Sequence, residues 1–358
     1  MLQVRGVRGI KRYGSRAAAQ ANNDSQTMTG GSSTKCISAV IPRLRAAAEW
    51  RTVAMLAACY LSWLALGASY AAIGWPAIFA LAVVIALHSS LQHEAIHGHP
   101  TNSAGWNEAL VSLPIGLFLP YRRYRELHLL HHGDSRLTDP FDDPESFYTS
   151  QENYDRLPRA MQILFGLNNT LPGRMLFGPA ISTVSFALSE LSPRAGAPGS
   201  PSVAPGCDVA SRRNGWAVHA LGLIPTMLIV HFGFAMPAYA YIVAAYMGLS
   251  LLALRSFCEH QWADEASHRT VIVDRSLLSW LYLNNNLHLV HHAQPGTAWY
   301  ALPAAYQQRR DDWVVMNNGY VFHGYRNVIR RFGLRQKEPV AHPAAARASV
   351  AEATHPAS

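Results

Sequence analysis

The stretch Trp75–His99, WPAIFALAVVIALHSSLQHEAIHGH, decides the reading of this chain. From Trp75 to Leu91 it holds no Asp, Glu, Lys or Arg, and it then runs straight into His93, His97 and His99. An apolar run of this kind approaches the length a helix needs to cross a bilayer. A dense histidine cluster directly past its end is more than a simple anchor requires.

Working outward, Thr52–Ile73 (TVAMLAACYLSWLALGASYAAI) has no charged residue either. Only Gly74 separates it from Trp75, so the two runs predict a tight helical hairpin. Trp216–Phe234 and Pro237–Leu254 predict a second hairpin, broken at Met236–Pro237. Ala109–Leu119 is too short to cross and contains Pro114 and Gly116, so it is expected to be re-entrant or interfacial. Arg43, Arg45 and Arg51 precede the first span, Arg122, Arg123 and Arg125 follow the short piece, and Arg212, Arg213, Arg255 and Arg269 flank the second hairpin. Neither hairpin turn has Lys or Arg. By the positive-inside rule this predicts four spans with both termini cytoplasmic.

Composition agrees. Of 358 residues 49% are hydrophobic and only 15% charged, against about 25% charged in soluble domains. The mean hydropathy of +0.02 is too low for a chain that is membrane throughout. The expected fold is therefore an all-α membrane protein, with four transmembrane helices in two hairpins and a cytosolic helical cap carrying the histidines. Residues 1–40 are basic and then Ser/Thr/Gly-rich, without the apolar segment of a secretory signal, and read as a disordered tail, with an Arg-rich targeting segment as the alternative. The domain is expected over 41–335, with a loop or linker at Leu191–Cys207. A second disordered tail, rich in Ala, Pro and His, is expected over 336–358. Cys36, Cys59, Cys207 and Cys258 are too few and scattered for a disulfide framework or a CxxC zinc site. The net charge of +8 comes from 30 basic residues spread along the chain, with no nucleic-acid-binding module. The abundance of Arg and Ala suggests a high-GC bacterium, hence its inner membrane.

The 17 His are the unusual feature. Beside His93-Glu-Ala-Ile-His97 stand two HxxHH runs, His128-Leu-Leu-His131-His132 and His288-Leu-Val-His291-His292. Residues three or four apart share a helix face, so each set can present two or three imidazoles to one centre. Two HxxHH runs in one chain of this composition arise by chance about once in a thousand. Imidazole suits zinc, copper, iron and nickel.

This set resembles the integral-membrane fatty acid desaturase and hydroxylase superfamily over about residues 50–325, including HEAIHGHP, LTDPFDDPE and LNNNLHLVHHAQPGTAWYALP. Bacterial desaturase-like hydrocarbon oxygenases are the most similar subgroup. The resemblance implies a cytosolic non-haem di-iron centre held by nine His. The boxes supply His93, His97, His128, His131, His132, His288, His291 and His292. His260, in RSFCEHQW, matches the ninth, while Ser256 stands where such enzymes often have an Asn. The implied reaction is O₂-dependent desaturation of an acyl chain or similar lipid-like hydrocarbon. The alternatives are hydroxylation or oxygenation of a lipid, a carotenoid or a small rhizopine-type substrate. No flavin or nicotinamide fingerprint is present, so electrons are expected from a separate ferredoxin, rubredoxin or cytochrome-type donor. A His-rich metal transporter is the rival from another class, but transporters place coordinating groups near the bilayer midplane.

Other polar residues carry weaker signals. His88 reads as a core His with a polar partner inside the bundle, and His99 as either a support for a ligand or a loop residue. His219 and His231 read as hydrogen-bonded core or interface residues, and His268, His323, His342 and His355 as surface residues. Glu94 is expected to accept a hydrogen bond from a ligand His. Asp139, Asp142, Asp143 and Glu145 either partner the histidines or form turns around Pro140 and Pro144. Asn284, Asn285 and Asn286 either serve the site or cap a helix.

Overall fold

The computed structural model describes residues 48–133, 136–191 and 209–344. The expected N-terminal tail, most of the linker, His355 and the end of the C-terminal tail lie outside these. The chain begins with α1 (Trp50–Ala68), a short α2 (Tyr70–Ile73) and α3 (Trp75–Ile96). Gly74, at φ +63°, makes the turn, a conformation that costs glycine little, and Pro76 falls in the first turn of α3, where its missing N–H is harmless. Next come α4 (Ala104–Val111), α5 (Tyr121–Gly133), α6 (Gln151–Asp155), α7 (Arg159–Asn168) and α8 (Leu171–Leu191). Then α9 (Val209–Leu228) continues as a π-helical turn (Ile229–Gly233) into α10 (Ala238–Glu259). The remainder is the cap: α11 (His288–Ala293), α12 (Leu302–Gln308), α13 (Arg310–Met316), α14 (Tyr325–Phe332) and a parallel pair, β1 (Ile272–Asp274) and β2 (Val321–His323).

Four helices among the described residues are long and apolar enough to cross a membrane: Trp50–Ala68, Trp75–Ile96, Val209–Gly233 and Ala238–Glu259. Ala109–Leu119 does not cross. It leaves α4 as an irregular segment whose Ile115 is fully buried, and the His219 ring on α9 donates to the Leu117 carbonyl at 2.8 Å.

The centre of the bundle is the crossing of α3 and α10. Ala240, Ala244 and Gly248, four residues apart and on one face, let the backbones close up, since small residues permit tight packing of membrane helices. A Cβ at Gly248 would meet Ile85 Cγ2 at 2.8 Å and the Ala82 carbonyl at 3.1 Å. Trp63 on α1 donates to Tyr241 on α10 at 2.8 Å, and Tyr241 donates to the Ile115 carbonyl at 2.8 Å, locking the re-entrant segment to both hairpins.

Two elements depart from expectation. The helices α7 and α8 were not legible as such, because Pro172, Gly173, Arg174, Gly178 and Pro179 interrupt the apolar pattern. Yet α8 packs along α10 with Gly178 and Pro179 buried. It is also tied to α5 and α9 through Glu190, which pairs with buried Arg123 at 2.8 Å and accepts from Trp216 at 2.9 Å. The second departure is at the C-terminus. Order continues beyond 335, because the Lys337 N–H bonds the Asn169 carbonyl, the Thr149 N–H bonds Val340, and the His342 N–H bonds Thr149, each at 2.9 Å. His342 is accordingly buried rather than on the surface.

Gly248→Leu should therefore wedge α3 from α10 and destabilise the fold by about 1–3 kcal/mol. The check is the thermal midpoint of the detergent-solubilised protein, and an unchanged midpoint would mean that this crossing does not limit stability.

Candidate metal centre

The fold gathers all nine histidines expected from the resemblance into two groups. His93, His97, His128, His132 and His291 form one, and His131, His260, His288 and His292 the other; within each, the ligand nitrogens lie within 4.8 Å of one another. Each element contributes for a local reason. The last turn of α3 carries His93 and His97, and α5 splits its HxxHH between the groups. His260 follows α10 in extended conformation and bridges to Thr270. β1 holds the third box: the Val273 N–H bonds the Asn286 carbonyl at 2.8 Å, and the Leu289 N–H bonds Val271 at 3.0 Å.

The Nε2 atoms face one another closely. His97 lies 3.0 Å from His128, His132 lies 3.2 Å from His291, and His260 lies 3.1 Å from both His131 and His288. The far nitrogens decide what these contacts are. His131 Nδ1 meets Asp143 Oδ1 at 2.8 Å, His128 Nδ1 meets Glu145 Oε1 at 2.7 Å, and His288 Nδ1 meets Asn285 Oδ1 at 3.1 Å. A carboxylate or amide oxygen only accepts, so these Nδ1 atoms carry the hydrogens. In a neutral ring that leaves Nε2 as a bare lone pair. His260 carries one Nε2 hydrogen at most and faces two such lone pairs when His131 is neutral, so one of its two contacts is then repulsive, and a cation between the rings would remove the conflict. Two nitrogens at right angles, each about 2.1 Å from one ion, are about 3.0 Å apart. The donor set thus fits metal ions, one per group.

Burial holds most of these rings neutral. His97 and His260 are pushed down to about 3 and His132 to about 2, while His288, His291 and His292 are driven well below the usual range, with neighbouring rings adding to the effect. His131 is the exception. Burial lowers it, but Glu145 and Asp143 outweigh that and raise it to about 9. Burial alone would raise Glu145, yet His131 and His128 hold it well below the carboxylate range. Neutral imidazole is the form that binds metal.

The acidic run after the second box divides cleanly. Asp143 and Glu145 orient His131 and His128. Asp139 caps the N–H groups of Phe141 and Asp142, and Asp142 pairs with Arg136. Of the three asparagines, Asn285 serves His288, while Asn284 and Asn286 bond the Trp299 and Val273 carbonyls; none caps α11. Glu94 does not accept from a ligand His. Its carboxylate receives the Trp299 N–H at 3.1 Å. His99 pairs with Glu49 at 2.8 Å, away from both groups. His88 bonds Tyr60 inside the bundle, and His231 is exposed near the π-helical turn.

Two contributors escaped the sequence reading. Glu259, paired with Arg255 at 2.7 Å, lies 3.7 Å from His288 Nδ1; its adjacency to His260 was the available signal. Lys337 donates its Nζ–H to the His260 carbonyl and sits 5.4–5.8 Å from the rings of Phe147, Tyr320 and Phe257. Burial lowers it to about 8. No pattern near residue 337 signals this. His260 Nδ1 has no hydrogen-bond partner among the described residues, so this ring is aimed by its backbone.

A cavity of about 220 Å³ adjoins the centre, between α3, the re-entrant segment, α5, α8 and α10. Its inner end is marked by Tyr124, whose ring lies 5.6 Å from that of His128, and by Arg255.

Fold and site together define an all-α membrane protein with two histidine groups able to hold metal ions at one end of its spans. The fatty acid desaturase family model matches residues 70–323, and the chain belongs to that family. A comparison with curated proteins returns no match.

Asp143→Asn should free the His131 ring and lower metal affinity about 10- to 100-fold. Lys337→Met should also lower metal content, with Lys337→Arg restoring it. Metal per chain after ferrous loading is the measurement, and full occupancy in both Asp143→Asn and Lys337→Met would contradict the orienting roles of Asp143 and Lys337.

Proposed function

We propose that this protein is an O₂-dependent, non-haem di-iron desaturase of the membrane, acting on an acyl chain or similar lipid-like hydrocarbon. The carrying observation is the convergence of nine buried or half-buried imidazoles into two groups beside a membrane-level cavity. His93, His97, His128, His132 and His291 would hold one iron, and His131, His260, His288 and His292 the other. Bound iron supplies the oxidising power that no side chain has, since unactivated C–H bonds are beyond acid–base chemistry. In desaturation the substrate loses two hydrogens. O₂ takes two electrons from the substrate and two from a donor protein, and with two protons from solvent ends as two waters. In hydroxylation one oxygen enters the substrate and the other leaves as water.

The chain's own residues do the rest. Asp143, Glu145 and Asn285 keep the rings in the tautomer that offers Nε2. The walls of the cavity exclude water and fix which carbon approaches. The donor would be a ferredoxin, rubredoxin or cytochrome-type protein reaching the exposed edge where His97, His132 and His292 are only half-buried. The site would face the cytoplasm, by the distribution of Arg around the spans. Histidines gathered past the span ends rather than at mid-membrane weigh against a transporter.

The test is a lipid profile by mass spectrometry from cells expressing wild type or His131→Ala. Loss of two hydrogens from a lipid, dependent on His131, is expected. Gain of one oxygen would make the enzyme a hydroxylase. No His131-dependent change in any lipid or small molecule would reject the oxidoreductase reading.

A further inference from the structure

The cavity beside the metal centre is not lined as a passage for a plain hydrocarbon chain would be. Its α3 wall presents Ile85, His88, Ser89 and Gln92, which share one helix face. Polar groups at this depth are costly unless they are partnered or used. His88, Ser89 and Gln92 each have an atom without a hydrogen-bond partner among the described residues, and for His88 and Gln92 the contacts of the other end make that atom an acceptor.

Tyr60 Oη has a single hydrogen, and it goes to the Leu110 carbonyl at 2.9 Å. Toward His88 Nε2, 3.0 Å away, the tyrosine can therefore only accept. Nε2 must carry the ring hydrogen, so Nδ1 of neutral His88 is a bare acceptor. One helical turn later, the Gln92 amide donates Nε2–H to the Val111 carbonyl at 3.1 Å. That contact fixes the orientation of the amide and leaves Oε1 as an acceptor on its other side. Among the described residues neither His88 Nδ1 nor Gln92 Oε1 has a donor facing it. The hydroxyls of Ser182 and Ser256, on the opposite walls, are turned back onto the carbonyls of their own helices at 3.1 and 3.3 Å. They do not fill the need.

We infer that the substrate carries an amine or a pair of hydroxyls close to the carbon that reacts, and that His88 Nδ1 and Gln92 Oε1 each accept one of its hydrogens. Two acceptors one turn apart on α3, ending beside His93, select a donor-bearing molecule over a bare saturated chain. A substrate without that donor leaves both atoms desolvated and unpaired, and this is how a polar pocket rejects an apolar analogue. The same contacts place the reacting carbon: Gln92 adjoins His93, and Tyr124 and Arg255 close the inner end of the cavity. His88 and Gln92 are thus specificity-determining residues. The inference rests on the metal-centre reading and narrows its substrate.

The experiment compares extracts of cells expressing wild type, His88→Leu, Gln92→Leu and His131→Ala by mass spectrometry. Acetic anhydride labels free hydroxyls and amines, and fragmentation locates the label. The species whose conversion depends on His131 should take up acetyl close to the changed carbon. Gln92→Leu, which leaves the His88–Tyr60 contact in place, should lower its conversion about tenfold while keeping wild-type iron content. A His131-dependent conversion of a chain with no donor near the changed carbon overturns the inference and leaves the oxidoreductase reading standing. So does wild-type conversion by both α3 variants. If no species depends on His131, the parent reading fails and this one with it.

Discussion

The packing of nine imidazoles into two groups governs this molecule. Asp143, Glu145 and Asn285 hold three rings by their Nδ1 hydrogens, which turns the Nε2 atoms of those rings toward other imidazoles at about 3 Å. A cation held in each group would draw the rings together, and the free energy of its binding would then add to the folding free energy of the cap.

The membrane helices serve this centre by setting distances. His93 and His97 end α3 while His260 follows α10, so the tight crossing at Gly248 fixes how far apart the two groups begin. Arg123 and Glu190 bind α5, and with it the second box, to α8 and α9. The parallel pair β1–β2 has only three residues per strand, yet β1 is what delivers the third box. An imidazole misplaced by an ångström no longer shares an ion, so these supports are as necessary as the ligands.

Much of this was legible in the sequence because its signals are periodic. Four apolar runs gave four spans, Pro114 and Gly116 marked the segment that turns back, and the four-residue pairs His93/His97, His128/His132 and His288/His292 each stay in one group, whereas the three-residue pairs His128/His131 and His288/His291, expected to share a centre, divide between the two. What escaped notice depends on tertiary contact. Glu94 sits beside a ligand in sequence, but its side chain points toward Trp299. Lys337 sits in an Ala- and Pro-rich stretch that composition assigns to a tail, and only its burial among three aromatic rings reveals a role. The helix α8 hid behind two prolines and three glycine or arginine positions that make sense only against α10. Asp143 and Glu145 were visible as acids, but nothing in LTDPFDDPE told them apart from Asp139 and Asp142.

The contact of Lys337 with the His260 carbonyl also bears on how the protein is made. The histidines of the two groups span residues 93 to 292, and the residue that contacts the His260 carbonyl lies a further 45 positions on. A chain emerging from the ribosome can insert its spans in order, but both histidine groups are incomplete until α11 has been synthesised, and the second lacks its brace until residue 337 is free. Any metal these groups take up would complete its coordination only late, after insertion of the spans, and nascent chains stalled before the third box would sit in the membrane with bare histidines exposed to whatever ion is at hand.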